Sequence, residues 1–490
     1  MSGFPPKPDN HLCHSAFLSP NHQVVNVTHD ITTAGQGSPG KTRITPALAG
    51  ATLVGALGGL LFGFDTAVIS GCQDQLKLLF QLTPGEQGFM TASALVGAAA
   101  GSLLAAKPGD VFGRRDCLKW TAGFYLLCAL GCAFANSLWM IVAARILGGL
   151  AVGASSVLGP MYLAEIAPAS WRGRLVACFQ VNIVLGVLIA YFSNYLLGTM
   201  NLGGNEWRWK LGVQAIPAAA FLATLFFIPR SPRWLMMKGL KQEAATTLAK
   251  LGVTDIDAQI STISQSLAPS RAAGTSPPLF SGAFRRPVFL AITIAVFNQV
   301  GGINALWYYA DTIFAMAGFS KDSSALQAVG LGVANIIATI FGMAIIDKVG
   351  RKPLLIWGTV GCGIALAGVT WIFTTGAHPG LLAWLFGLFV ICHAFGQGAV
   401  IWVFISEIFP TAVRSKGQTL GSFTHWFMAM LVSWAFPMVA RDVGEPLAGL
   451  SFGIFAAMMV LQLFVVGMLF PETKQIALED IDEQLRGKSH

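Results

Sequence analysis

The sequence predicts an all-α membrane protein: twelve transmembrane helices in two pseudo-symmetric six-helix bundles. Three observations carry this. Apolar residues make up 54% of the 490-residue chain and charged residues 11%, less than half of the roughly 25% usual in soluble domains. Twelve apolar stretches approach the ~20 residues a helix needs to cross a bilayer. Two charged signatures recur at matching places in the two halves. A soluble enzyme, a disordered chain and a collagen-like fibre are thereby excluded. A membrane β-barrel would show alternating segments of about 10 residues. These runs are continuous and rich in Gly, Ala and Leu, and 55 glycines suit close packing of membrane helices.

In chain order, residues 1–46 form a polar tail, expected to be cytoplasmic and lacking the apolar core of a cleavable signal peptide. Asn26-Val27-Thr28 fits the glycosylation pattern, but on the wrong side of the membrane for it. The helices are expected to start near Ala47, Phe89, Leu118, Leu138, Leu175, Leu211, Pro287, Leu326, Leu354, Leu381, Leu420 and Leu447, the last ending near Phe470. Residues 47–228 then form the first bundle and 287–470 the second. Residues 229–286 between them form a cytoplasmic linker with short helices, and 471–490 a cytoplasmic C-terminal tail. With both termini inside, the inner loops hold nineteen Lys and Arg and the outer loops five, as the positive-inside rule requires. The net charge of +8 is thus explained by topology, and no nucleic acid partner is expected. The eight cysteines are scattered without zinc spacing. They read as packing residues; no metal and no cofactor is expected.

The repeat is the next element. Asp110-Val-Phe-Gly113-Arg114-Arg115 follows helix 2, and Asp347-Lys-Val-Gly350-Arg351-Lys352 follows helix 8. Glu165-Ile-Ala-Pro168 with Arg172 ends helix 4, and Glu407-Ile-Phe-Pro410 with Arg414 ends helix 10. A duplicated six-helix unit follows, and transporters built this way hold their site where the halves meet. The charges at these inner helix ends, Asp110, Arg114, Arg115, Glu165, Arg172, Asp347, Arg351, Lys352, Glu407 and Arg414, suit salt bridges that latch an inner gate. The alternative is that they serve topology alone.

Within the spans, Asp65 in helix 1 and Arg145 in helix 4 stand out. An isolated intramembrane charge costs about 2.5–3.5 kcal/mol on insertion scales, and opposed charges on two helices of one half offset that cost. Their expected depths are compatible. Polar side chains in spans bond across helices or line a pathway; the candidates are Gln180, Asn298, Gln299, Asn304 and Asn335. Gln299 and Asn304 are about 140° apart around a regular helix, so a helix broken at Gly301-Gly302 is needed to bring them together. Phe62, Tyr308, Trp402 and Trp426 are aromatic candidates. His425 beside Trp426 offers one donor and one acceptor as a neutral imidazole and can also titrate; ligand binding, packing and a second proton site are its open readings, in that order. His393 reads as a satisfied packing histidine.

The paired Asp-x-[Phe/Val]-Gly-Arg-[Arg/Lys] loops, the Glu165…Arg172 pair, Pro229-Arg-Ser-Pro-Arg233-Trp234, Asn298-Gln299-Val-Gly-Gly-Ile-Asn304 and Pro471-Glu-Thr-Lys474 resemble the signatures of the sugar porter family of the major facilitator superfamily. The resemblance covers about residues 47–480 and is nearest to bacterial xylose–proton symporters, with kinship to facilitative glucose transporters. The chain departs from the family pattern at Asn298-Gln299, where Gln-Gln is common, and at Ala399-Val-Ile401-Trp402 in helix 10. It also departs at Arg414-Ser415-Lys416 and at Ala106-Lys-Pro108-Gly-Asp110.

The resemblance implies a secondary active transporter, a proton-coupled symporter of a monosaccharide (hexose or pentose) working by alternating access. Asp65 would carry the proton and Arg145 modulate it; a fixed structural ion pair is the alternative. Phe62, Gln180, Asn298, Gln299, Asn304, Asn335, Trp402, His425 and Trp426 would bind the sugar, and Tyr308 would belong to the outer gate. A facilitative sugar or polyol uniporter and a non-transporting sugar sensor are the other readings. No nucleotide-binding or catalytic motif occurs, so an enzyme is not expected. The implied partners are the sugar, the proton and membrane lipid. The implied site of action is the plasma or inner membrane, with the protein acting as a monomer.

Overall fold

The computed structural model describes residues 45–168, 171–272, 277–410, 413–443 and 445–474. The polar tail, with Asn26, and the end of the C-terminal tail lie outside the described residues.

All twelve spans are present as helices: Pro46–Phe80, Pro84–Leu104, Arg114–Ala133, Leu138–Ile166, Arg172–Thr199, Glu206–Thr224, Arg285–Met316, Lys321–Val349, Arg351–Thr375, Pro379–Glu407, Arg414–Val439 and Leu450–Leu469. They are called spans 1 to 12 below. Among the described residues nine are long and apolar enough to cross a membrane by that measure alone. Spans 3 and 11 open on clusters of charge at Arg114–Lys119 and Arg414–Lys416, and span 6 is broken between Gly212 and Ala215. The protein is an all-α membrane protein. Short helices follow span 2 (Ala106–Phe112) and occupy the linker (Pro232–Met237, Lys241–Lys250 and Ile256–Ala272).

Most spans begin several residues before the expected apolar starts. Spans 3, 5, 7, 8, 9 and 11 begin on Lys or Arg. A helix keeps its backbone bonds through the interfacial zone, whereas hydropathy marks only the hydrocarbon core. Polar side chains cap several of the starts: Ser137, Ser320 and Thr83 accept from backbone N–H groups of the first turn.

Glycines set the closest seams. A Cβ at Gly149 or Gly97 would fall on the Ala94 or Ile146 carbonyl, joining spans 2 and 4, and one at Gly63 or Gly186 on Ile183 or Leu60, joining spans 1 and 5. Lipid tails are as apolar as leucine, so such van der Waals contact, rather than a hydrophobic drive, holds membrane helices together. Span 2 against span 11 and span 5 against span 8 join the two halves: Gly88 lies on the Trp434 carbonyl and Gly332 on Leu188.

Three helices depart from regularity. Span 1 passes through a 3₁₀ turn at Ile69–Cys72. Span 7 is two helices, Arg285–Val300 and Ile303–Met316. Span 10 contains a π turn at Ala394–Gly398.

Candidate functional site

The break in span 7 is made by Gly301-Gly302. Gly302 has φ +85°, a conformation glycine adopts without steric cost, and a Cβ there would strike the Phe455 ring. The break turns Asn304 back toward the end of the preceding helix, and its Nδ2 donates to Gln299 Oε1 at 2.6 Å. Gln299 Nε2 lies 2.8 Å from Asn298 Oδ1 and 3.2 and 3.3 Å from the two ring nitrogens of His425.

Span 11 supplies the aromatic side. The His425 ring is 5.0 Å from that of Trp402 in span 10 and 5.1 Å from that of Trp426, and Phe62 of span 1 lies 5.4 Å from Trp426. Asn298, Gln299, Asn304, His425, Trp402, Trp426 and Phe62 are thus gathered from four spans and both halves. Donors and acceptors are set among aromatic faces, the arrangement a small polyhydroxylated ligand needs. Trp402 keeps 40% of its surface exposed, while Gln299 has none.

Two expected members stand apart. Gln180 is partly exposed on span 5 and makes no side-chain hydrogen bond among the described residues. Asn335 is buried on span 8, where its Oδ1 accepts from Thr339 of the same helix at 3.5 Å. His393 is corrected: its Nδ1 is buried without a hydrogen-bond partner among the described residues, so it is not a satisfied packing histidine.

Asp65 and Arg145 face each other across spans 1 and 4, both about 1% exposed, with Arg145 Nη2 3.9 Å from Asp65 Oδ2. The contact is loose. Among the described residues Arg145 Nε and Nη2 have no hydrogen-bond partner, and Asp65 Oδ1 instead accepts from Gln214 Nε2 at 3.4 Å and from Cys128 Sγ at 3.9 Å. Sequence reasoning passed over Gln214, a lone amide in span 6 that belonged with the other intramembrane polar residues.

On the face carrying the basic loops, the repeated signatures build matching clusters. Gly113 and Gly350 have φ +94° and +106°, which explains the glycine in each motif. Arg114 reaches Asp110 and Glu165, both at 3.0 Å. Arg351 reaches Asp347 at 3.2 Å and Glu407 at 2.8 Å. Each arginine also donates to the carbonyl five residues back.

Each of these pairs lies within one half, so in this conformation they do not latch the halves to each other. Arg115 bonds its neighbour Asp116 and the Ile228 carbonyl, and Arg172 is exposed with no ion pair among the described residues. Arg414 donates to the Phe409 carbonyl at 3.3 Å. Glu472 of Pro471-Glu-Thr-Lys474 accepts from the N–H groups of Arg351 and Lys352 at 3.0 and 3.1 Å. That motif therefore caps span 9.

On the opposite face the halves are stitched together. Gln73 donates to the Tyr308 carbonyl at 3.3 Å, Tyr191 to the Trp307 carbonyl at 2.7 Å, and Trp434 to the Gly85 carbonyl at 3.1 Å. Lys321 pairs with Glu206 at 2.7 Å. Tyr308 itself is buried in this seam.

Two six-helix halves, a polar and aromatic cluster where they meet, and one face sealed define a secondary transporter of the major facilitator type. The chain belongs to the sugar transporter family: the family model described as "Sugar (and other) transporter" matches residues 51–485. It is a membrane transporter and not an enzyme.

Among its relatives, the D-xylose-proton symporter of Escherichia coli (strain K12) is 36% identical over 466 residues, covering 88% of this chain and 94% of that protein. The D-xylose transporter of Levilactobacillus brevis is 36% identical over 442 residues, covering 89% and 95%. The partially occluded inward-open structure of the xylose transporter XylE from E. coli aligns with a TM-score of 0.79 at 33% identity, covering 88% of this chain and 100% of that one. XylE bound to 6-bromo-6-deoxy-D-glucose aligns at 0.73 and 34% identity, covering 89% and 98%.

Proposed function

We propose that the protein is a proton-coupled monosaccharide symporter working by alternating access. The carrying observation is the buried Asp65–Arg145 pair, with Asp65 three residues after Phe62, whose ring meets Trp426 of the Gln299–Asn304–His425 cluster. Burial disfavours an ionised carboxyl and a nearby guanidinium favours it. An aspartate held only loosely by arginine, at 3.9 Å, is suited to taking up a proton in one state and releasing it in the other. Asn298, Gln299, Asn304 and His425 supply hydrogen bonds to sugar hydroxyls, and Phe62, Trp402 and Trp426 supply faces for C–H surfaces. Gln180 and Asn335 are assigned to the walls of the same site. The relatives named for D-xylose and protons support this reading.

The basic face is assigned to the cytoplasm, with both termini there and the protein acting as a monomer in the cell membrane. Residues 47–228 and 287–470 are the two moving bundles, joined by the cytoplasmic linker 229–286 between the tails 1–46 and 471–490. The sealed opposite face and the exposed Trp402 support an inward-facing state, in keeping with the higher TM-score against the inward-open XylE structure. In the outward-facing state Asp110, Arg114, Arg115, Glu165, Arg172, Asp347, Arg351, Glu407 and Arg414 act as the inner latch, and Tyr308 belongs to the outer gate.

Protein in liposomes enclosing a pH dye, given pentoses, hexoses and inositol, tests the proposal. Sugar-dependent internal acidification is expected, lost in Asp65→Asn while exchange of labelled sugar survives. Sugar entry without acidification, equal in both proteins, would instead make the protein a uniporter.

A further inference from the structure

The sealed face contains a second carboxyl that the mechanism above does not use. Asp311 lies on the second helix of span 7, three residues beyond Tyr308, where that helix meets the 3₁₀ turn of span 1. Its backbone N–H donates to Ser70 Oγ at 3.1 Å, and the next residue, Thr312, donates to Asp74 Oδ1 at 3.4 Å. Asp311 Oδ1 is buried and accepts no hydrogen bond among the described residues.

The charged groups at this seam are Asp74 of span 1, bonded to Thr312, and Lys210 of span 6, bonded to the Gly71 carbonyl beside Ser70; Tyr191 of span 5, bonded to the Trp307 carbonyl, and Cys72 at the end of the 3₁₀ turn are its titratable neighbours. Lys210 is already engaged. Its Nζ binds Glu206 Oε1 at 2.6 Å and the Gly71 carbonyl at 2.9 Å. An ionised Asp311 would thus have its Oδ1 buried without a hydrogen bond among the described residues, in a seam whose Lys210 is bonded to Glu206 and the Gly71 carbonyl. A neutral acid avoids that cost.

A cleft of about 390 Å³ opens from this face and is lined by Asp74 and Lys77 from the first half and Thr312, Arg441 and Glu445 from the second. It reaches the residue next to Asp311 from solvent. Separation of the halves here would pull Thr312 from Asp74 and Asp311 from Ser70, exposing the carboxyl to water, where it ionises freely.

We infer that Asp311 is a second proton-binding group, protonated when the face opposite the basic loops is sealed and deprotonated when that face opens. Because the sealed state binds the extra proton, acid favours sealing by linkage. The inference rests on the alternating-access reading but not on Asp65 carrying a proton.

Two measurements on the full chain in nanodiscs test it. Infrared difference spectra across pH read the carbonyl band of a protonated carboxyl. Spin labels on Lys77→Cys and Glu445→Cys, in a Cys13→Ser, Cys178→Ser background that leaves the buried cysteines in place, read the width of the cleft.

The expected result is a carboxyl band present in Asp65→Asn, where Asp65 contributes none, and lost in the Asp65→Asn, Asp311→Asn double variant. In the Asp65→Asn background acid should narrow the label distance, should still do so with the conservative Asp311→Glu added, and should have no effect with Asp311→Asn added. A band that survives Asp311→Asn in the Asp65→Asn background, or a label distance that still follows pH in that double variant, would overturn the inference. Sugar entry without acidification in the native chain would defeat the symport reading, and acidification that persists in Asp65→Asn would defeat only the role of Asp65; both leave these measurements untouched.

Discussion

His425 stands between the rings of Trp402 and Trp426 with Gln299 Nε2 within 3.3 Å of either ring nitrogen. Only one nitrogen of a neutral imidazole accepts a hydrogen bond; the other carries a proton to donate. The ring can therefore hold Gln299 in place and offer an N–H to a ligand hydroxyl. His425→Ala removes both roles and should weaken sugar binding by about 5- to 30-fold, the equivalent of 1–2 kcal/mol. His425→Gln should keep most of the affinity. Calorimetric titration of the purified protein separates the two, and equal loss in both variants would rule out a hydrogen-bonding role. His425, Gln299, Asn304 and both tryptophans were legible in the sequence because polar groups and grouped aromatics are costly or conspicuous in a membrane helix. Gln214 escaped because nothing in its own stretch indicates that it will meet Asp65 from span 6, 149 residues away in the chain.

At the scale of the element, the break in span 7 positions more of the candidate site than any other feature. It was legible because the spacing of Gln299 and Asn304 cannot serve one face of a regular helix, and two adjacent glycines offered the place to bend. The π turn of span 10 was not. A π turn inserts one residue without needing a special side chain, so Ala394–Gly398 reads as ordinary apolar helix, and His393 at its edge was read as satisfied when its Nδ1 is not. Gly302→Ala tests the break. Alanine at φ +85° is strained, and its Cβ meets Phe455; relief requires the chain to straighten and carry Asn304 away from Gln299. The expected outcome is a stability loss of more than about 1 kcal/mol, seen as a lower melting temperature in detergent, together with loss of sugar binding. Normal melting with normal binding would show that the bend does not depend on glycine.

Across the whole molecule the asymmetry between faces determines which state is seen. The duplicated signatures suit a latch on the inner gate, whereas in this state they form two matching ion clusters on the basic face, each closed within its own half. The seam on the opposite face was not legible, because its members come from unrelated loops and helix ends. Glu206, Lys210 and Lys321 are its charged core. Glu206 and Lys210 are buried partners within the first half, whereas Lys321 reaches Glu206 from the second half with 60% of its side chain exposed. The two contacts should respond differently to substitution. Glu206→Gln leaves Lys210 buried without a carboxylate and should cost about 3–5 kcal/mol of stability, as breaking a buried pair does. Lys321→Ala leaves the Glu206–Lys210 pair intact. Its exposed contact is worth at most about 1 kcal/mol after solvent screening, and all of that is lost only when the halves part on this face. Lys321→Ala should therefore melt like the native chain and shift the balance between sealed and open states by no more than about fivefold toward open. The Lys77–Glu445 label pair would show this as a larger long-distance population, and raised salt should produce the same shift in the native chain but little in the variant. An unchanged distribution in Lys321→Ala would mean that the backbone-directed bonds of Gln73, Tyr191 and Trp434, rather than the ion pair, keep the face sealed.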